Sequence, residues 1–356
     1  MLTKPFAAIR PNAKIVSAAA ALPTDSHDAE AILAQFDTAI EKGVFVSDAS
    51  PCYYLYELTM DEFCHVGFVA CCATDDFTNG TIKRFDCASS AAVDDMVALE
   101  ETLGAQVTPA VLAYRNNPDI NVVVDAMRTT TPLYSFIAGD GVTHRVWRMS
   151  EPTLIERFAE EFSNVDGAYL VSGFSTAEAA VRRGDAGCLA VFFPDEQLES
   201  VPYNRIVHDL NGVSEEEFLA AVEERFDILH SQRASLEPID RGAIAMFFDG
   251  MWYGLGVKDP ADALDTALLQ DLLLGPVLGI EPGEESDRIE YFGGADVASE
   301  LELRAGSGEG CGAAFALYPV NVGDLFALAD AGELAPAKSL WLEPRLRSGL
   351  FVRRVD

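Results

Sequence analysis

The sequence predicts an α+β protein built from mixed β-sheets, with hairpins and flanking helices, and three observations carry that reading. Alternating apolar segments come in adjacent pairs joined by tight turns, the signature of antiparallel hairpins. Amphipathic helical stretches fall between these pairs at irregular intervals, unlike the regular strand–helix alternation of a Rossmann or TIM fold. Hydrophobic residues make up 49% of the 356 positions and aromatics 10%, which fits a sizeable core and excludes a disordered chain. No repeat, low-complexity tract or obvious linker interrupts the sequence. Residues 1–356 are therefore read as one architecture, with 1–150 and 151–356 as possible lobes.

In chain order, residues 1–11 form an extended entry, because Lys4-Pro5 and Arg10-Pro11 keep that segment out of helix. Residues 29–41 make a short amphipathic helix. Residues 53–59 alternate as a strand, and 64–73 return across a tight turn as its hairpin partner. A helix over 91–103 is stopped by Gly104. Residues 107–114 read as a strand, whereas 120–127 fit strand or helix. A second hairpin, 133–138 with 142–149, turns at Gly139-Asp140-Gly141. Ser150 is placed as the N-cap of a helix with Leu154, Ile155, Phe158 and Phe162 on one face. Residues 168–172 are a buried strand ended by Gly173, and a helix opens at Ser175. Strands follow at 188–193 and 203–207, then a helix over 214–226 with a Ser214/Glu217 capping box. Residues 243–248 and 251–255 pair across Asp249-Gly250, and 262–274 are strongly helical. The segment 287–294 and the glycine-rich loop 306–312 lead to a strand at 313–318. A helix at 322–331 and a last strand near 350–355 complete the chain.

Charge narrows the function classes. With 57 acidic and 25 basic residues the formal charge is −32, so nucleic acid and anionic membranes are poor partners. The same acidity also serves solubility. No apolar run approaches a bilayer span and no signal-peptide pattern opens the chain, which points to a cytoplasmic protein. Seven cysteines without a C-x-x-C pair suit reduced, mostly buried thiols. Cys64 and His65 are neighbours on a strand, where they face opposite ways and cannot share a metal; no metal site is expected.

Four stretches carry a family resemblance: KPFAAIRP (4–11), PYNR (202–205), LDTALLQDLLLGPVLG (264–279) and PAKSLWLEPRLRSGL (336–350). On these, the chain resembles, nearly end to end, the bacterial and archaeal family catalogued as domain of unknown function 1015. In their central motif, members of that family resemble ParB/sulfiredoxin-like phosphotransferases, some of which phosphorylate free serine with a nucleotide. The resemblance implies a phosphate site at the strand–glycine–helix junction, but the family's A-D-G-H-H-R is here Val171-Ser172-Gly173-Phe174-Ser175-Thr176, and only the glycine is kept. The family's H-E-R-T falls on Phe85-Asp86-Cys87-Ala88 and its P-P-Y-D on residues 20–23, neither preserved. A histidine–arginine pair at a helix N-terminus would bring donors and positive charge to a phosphate, which Phe, Ser and Thr do not. Asp86 is the candidate catalytic carboxylate. Its side chain, shorter than Glu, displaces the group by roughly an ångström, a shift costing on the order of a hundredfold in rate.

The pattern implied is a catalytically degenerate member, a pseudoenzyme that binds a metabolite, a protein partner or an active paralogue. The candidate ligand pocket consists of Gly173, Ser175, Thr176, Arg205, Lys338 and Arg345. The alternative is an active phosphotransferase on a small hydroxyl substrate such as L-serine, using ATP or ADP with Mg²⁺ and phosphate contacts remodelled onto Arg205, Lys338 and Arg345. A third reading makes Ser175 a hydrolase nucleophile, since GFSTA after a strand resembles a nucleophile elbow; its triad would draw on Asp195 or Asp227 with His208 or His230. Against it, Ser175 and Glu178 fit a simple capping box. In the segment 338–345, Lys338, Trp341, Glu343 and Arg345 either line a pocket or combine a core tryptophan with an ion-pair net. The loop 306–312 precedes a strand, not a helix, and so is read as a connection, not a phosphate cradle.

Overall fold

A computed structural model of the chain describes residues 1–16, 29–61, 63–258, 263–283, 285–294, 297–306 and 312–355. The loop residues 307–311, and residues 20–23 where the P-P-Y-D segment falls, lie outside the described residues. The chain divides into two compact units, Met1–Leu198 with Pro344–Asp356, and Glu199–Glu343.

The first unit is built on a mixed sheet of nine strands among the described residues. In chain order these are β1 (Thr3–Lys4), β2 (Tyr53–Met60), β3 (Phe63–Ala73), β4 (Ile82–Arg84), β5 (Ala110–Tyr114), β6 (Tyr134–Ile137), β7 (Thr143–Met149), β8 (Ala168–Ser172) and β9 (Gly187–Pro194). Their order is β4-β8-β5-β9-β3-β2-β7-β6, with β1 beside β3. The pairs β4–β8 and β5–β9 are parallel, and the two predicted hairpins, β2–β3 and β6–β7, form as antiparallel pairs. This is the mixed α+β arrangement expected.

Five helices flank the sheet among the described residues: α1 (Ala29–Glu41), α2 (Ser90–Leu103), α3 (Pro118–Arg128), α4 (Pro152–Ser163) and α5 (Phe174–Arg183). Gly104 ends α2 in the left-handed conformation, as its position predicts. The ambiguous 120–127 segment is helical, because Asn117 caps it and Pro118 occupies its first turn. The predicted cap at Ser150 is corrected: Glu151 is the N-cap, without a side-chain bond, because Pro152 fixes where the helix begins. The strand predicted from 107 starts at Ala110, since Pro109 has no N–H for the ladder. The last strand shrinks to Arg353–Arg354.

The apolar face predicted for α4 is the one buried. Phe158 and Phe162 close on Phe68 and Phe192, while Leu154 and Ile155 pack at the margin of that core. A second cluster joins Ile32 and Phe36 of α1 to Leu99 and Leu103 of α2. Arg10 is buried and donates from Nε and Nη2 to both carboxylate oxygens of Asp48 at 2.9 and 2.8 Å. On β3, Cys64 is exposed and His65 buried, as strand alternation requires.

The second unit carries an all-antiparallel sheet of β10 (Tyr203–Val207), β11 (Phe226–Gln232), β12 (Ala243–Phe248), β13 (Met251–Val257), β14 (Ile289–Gly293) and β15 (Ala313–Ala316), ordered β11-β13-β12-β15-β10-β14. Its helices are α6 (Glu215–Arg225), α7 (Asp265–Leu269), α8 (Ala298–Ala305) and α9 (Val322–Ala331). The Ser214/Glu217 capping box of α6 forms in full. The long helix predicted over 262–274 is instead the short α7 followed by a π-helical turn, Gln270–Leu274. Leu269, Leu273 and Leu274 bury together against one face of the sheet. The other face packs Ile206, Ala245, Trp252 and Ala314 against Ala298, Leu301 and Ala305 of α8.

Candidate functional site

The strand–glycine–helix junction forms at the end of β8, with one correction. Gly173 is itself the N-cap of α5, at φ 73°, ψ 34°, so the helix opens at Phe174 and not at Ser175. A glycine cap offers no side chain, and Ser175 stands inside the first turn; no side-chain cap bond is made, and the Ser175/Glu178 capping box does not exist. Glu178 turns away to accept from Arg84 Nη1 at 3.1 Å and the Ala88 N–H at 3.2 Å. Gly173 is required twice over. Its φ favours glycine, and a Cβ there would meet Ala110 Cα at 2.9 Å and Pro109 O at 3.2 Å. At Gly184, which ends α5 at φ 72°, a Cβ would meet nothing within 4 Å. Gly184→Ala should therefore cost only the left-handed strain, about 1–2 kcal/mol, and Gly173→Ala clearly more. Urea midpoints of the two variants check this; equal losses would refute the close-approach account.

The sequence separates the two eroded motif positions by almost ninety residues, and the fold brings them together. Phe85 and Phe174 meet edge to face with ring centroids 5.9 Å apart. Asp86, the candidate catalytic residue, is half-buried beside them and accepts the Cys87 N–H through Oδ1 at 2.8 Å. Ser175 is half-buried and Thr176 fully buried, with its hydroxyl lacking a partner among the described residues.

The guanidinium groups around α5 are engaged by acids. Arg84 pairs with Glu178, Arg182 with Asp94, and Arg183 with both Glu100 and Asp185. Glu100 is buried on α2, and its burial pushes its pKa up to about 7 against the pull of Arg183. Beside these residues lies a cleft of about 450 Å³, within the size range of small-molecule sites. Its floor is apolar, from Ile82, Leu170, Ala177 and Val181, and Arg84 and Arg182 stand at its wall. These two arginines were not singled out from the sequence, which shows no motif around them; strand pairing of β4 with β8 places Arg84 alongside α5.

Of the other candidates, Arg345 is exposed in the C-terminal segment of the same unit, while Arg205 and Lys338 belong to the second unit. There the fold joins three of the stretches on which the resemblance rests, 202–205, 264–279 and 336–350. Arg205 is 3% exposed and donates to the carbonyls of Tyr203 at 2.7 Å and Lys338 at 2.9 Å, with its guanidinium 4.7 Å from the Tyr291 ring centroid. Thr266 and Ser339 share a buried hydroxyl–hydroxyl bond of 2.8 Å. Lys338 takes a left-handed backbone, φ 61°, and its Nζ lies 2.9 Å from a Glu285 oxygen. Burial opposes the ammonium, but Glu285 with Tyr203 and Tyr291 together outweigh it and hold the pKa above the usual lysine value. Trp341 lies 4.8 Å from Tyr203, centroid to centroid, and donates to Glu343 at 3.0 Å. The segment 336–343 thus clasps the end of β10 through side-chain and backbone bonds.

Fold and site together define an α+β protein with a strand–glycine–helix junction and a small-molecule-sized cleft along α5, whose lining among the described residues includes none of Asp86, Gly173, Ser175 and Thr176. The chain belongs to the family described as Protein of unknown function (DUF1015), whose sequence model matches residues 13–272 and leaves the stretch 336–350 outside. Among curated proteins none matches the sequence significantly. Solved structures similar to it include the following three. SbnI of Staphylococcus aureus, C-terminally truncated, matches at a TM-score of 0.46 and 11% identity over 80% of this chain and 87% of its own. A free serine kinase in complex with AMP matches at 0.43 and 12%, over 81% and 91%. A conserved hypothetical protein from Pyrococcus furiosus matches at 0.41 and 12%, over 80% and 95%. No helix of the described residues is long and apolar enough to cross a membrane.

Proposed function

We propose that this protein is a catalytically degenerate member of a nucleotide-dependent kinase-like family, a cytoplasmic pseudoenzyme that binds a small metabolite beside α5 and acts through that ligand or a partner. The observation that carries this reading is the lack of available positive charge near the N-terminus of α5: Phe174 packs where the family motif has histidine, and Arg84, paired with Glu178, is closed onto a carboxylate, while Arg182 and Arg183 stand in the last turn at the far end of the helix. Phosphoryl transfer depends on positive charge held ready for the transferring group, and guanidiniums already paired must first be released. Support for ligand binding comes from the cleft itself, whose apolar floor suits a flat or aliphatic body.

The alternative, an active kinase of a small hydroxyl compound such as L-serine, would draw its phosphate contacts from Arg205, Lys338 and Arg345. Arg205 already donates to two carbonyls and Lys338 is paired with Glu285, which argues against that role. Hydrolysis at Ser175 gains no support either: the histidines considered for its triad, His208 and His230, belong to the other unit, where His208 lies 3.7 Å from Glu290.

Two assays separate the readings. Incubation with ATP, Mg²⁺ and L-serine is expected to yield no phosphoserine by mass spectrometry. Thermal shift against a metabolite panel should give hits that are lost in Val181→Trp, which fills the cleft. Phosphoserine that accumulates in proportion to protein, and disappears in Asp86→Asn, would establish the active phosphotransferase instead.

A further inference from the structure

We propose that the cleft along α5 takes a monocarboxylate with an apolar body, the carboxylate on the guanidinium of Arg182 and the body on the floor of Ile82, Leu170, Ala177 and Val181. The assignment rests on the ligand-binding reading of that cleft and adds the chemical class. Residues four apart on a helix are neighbours on its surface, so Ala177 and Val181, with Glu178 and Arg182 beside them, bring one face of α5 to the cleft. Ile82 and Arg84, two apart on β4, line it from the strand.

Arg182 is singled out by the state of its donors. A guanidinium carries several N–H groups in a fixed fork, and its Nε–Nη2 edge matches the two oxygens of a carboxylate. Arg10 holds Asp48 by that same edge. Arg182 bonds Asp94 through Nη1 alone, so among the described residues its Nε and Nη2 have no acceptor. The Arg182 side chain is 46% exposed and that of Asp94 65%, so the edge is within reach of a ligand and the ion pair itself is worth little. A resting carboxylate asks only for such donors, whereas phosphoryl transfer needs positive charge held ready. Arg84 also bonds through Nη1 alone, but its partner Glu178 lies in the lining, where a second carboxylate would be repelled. Asp94 lies outside it.

Charge selects the ligand class. Arg84 and Arg182 against Glu178 leave the lining a local excess of positive charge on a chain of formal charge −32. A cation would find only Glu178, which already accepts from Arg84 and the Ala88 N–H. A neutral molecule would cover the floor and leave the Arg182 edge unused. An anion of higher charge, such as a phosphomonoester, meets the acidity of the whole chain and of Asp75 and Asp76, in the turn that carries the lining residue Phe77. One carboxylate on an apolar body satisfies both edge and floor, and about 450 Å³ holds a ring with a short linker.

The test is calorimetric titration of the full chain with hydrocinnamate, with hydrocinnamamide and phenylpropylammonium as neutral and cationic matches of its shape, and with AMP. The acid is expected to bind at least about tenfold tighter than the other three, the factor that hydrogen bonds to a charged group supply. Arg182→Gln should bring the acid down to the level of the amide and leave the amide unchanged, a split that a merely structural arginine would not give. Val181→Trp should abolish binding of both. Equal binding of acid and amide would overturn the carboxylate assignment and leave the cleft standing as a ligand site. Tighter binding of AMP, an acid preference that survives Arg182→Gln, or full binding by Val181→Trp would overturn it as well. Silence from all four probes up to their solubility would overturn the cleft reading together with the assignment.

Discussion

Asp48→Ala is expected to destabilise the protein by about 3–5 kcal/mol, the cost of leaving a buried charge without its partner. The Asp48 carboxylate is 3% exposed and accepts from Arg10 Nε and Nη2, from Tyr54 OH at 2.6 Å and from Arg148 Nη1 at 2.8 Å. Arg10 is itself only 8% exposed at its side chain, so removal of Asp48 strands a guanidinium in the interior, whereas Arg148, at 38%, can turn to water. The double replacement Arg10→Met with Asp48→Leu should cost less than Asp48→Ala alone, since it removes both charges. The pH dependence follows in sign. Burial alone would raise the Asp48 pKa, but the bonds from Arg10 and Tyr54 outweigh it and hold the carboxyl below the usual range. Its contribution to stability is therefore complete above the ordinary carboxylate pKa and is lost as the pH falls through the folded-state value. Urea unfolding at neutral and acid pH should show a shallower acid loss in Asp48→Ala than in the parent chain. An identical slope would remove Asp48 from the account of acid stability.

Phe68→Ala should be of similar size, about 3–5 kcal/mol, through lost burial and the cavity left behind. Phe68 is 1% exposed; its ring stacks on Phe192 at 4.8 Å with an interplanar angle of 4°. Phe158 and Phe162 meet it edge-on at 4.8 and 4.7 Å, and Tyr114 approaches at 6.0 Å. Two strands and a helix converge on this one ring, so no single neighbour can move in without disturbing an element. Val122→Ala, at a position 59% exposed on α3, should change stability by less than about 0.5 kcal/mol. Midpoints of urea unfolding at constant slope measure both changes; comparable losses in the two variants would contradict the assignment of the core.

Much of the fold was legible because its signals are local. The hairpins β2–β3, β6–β7 and β12–β13 follow from alternation and turn residues that the chain carries within a dozen positions. The Ser214/Glu217 box and the Gly104 stop are likewise contained in one turn of helix. The same logic misplaced the cap of α5. Ser175 and Glu178 have capping-box spacing, but the left-handed Gly173 starts the helix one residue earlier and Arg84 draws Glu178 away. Only the parallel pairing of β4 with β8 explains that competition.

By itself the sequence determined the α+β class, the hairpins, the apolar faces of the helices, the replacement of the histidine–arginine motif by Phe174, Ser175 and Thr176, and the acidic charge balance. These depend on residue type and short-range spacing. The tertiary structure decided what each charged side chain is free to do. Arg205, a pocket candidate by composition, is spent on two carbonyls; Arg84 and Arg182, unmarked in the sequence, stand at a cleft. The physical reason is that ion pairs and buried hydrogen bonds are settled by which groups come within about 3 Å of one another, and that distance is set by strand order and helix packing between residues far apart in the chain.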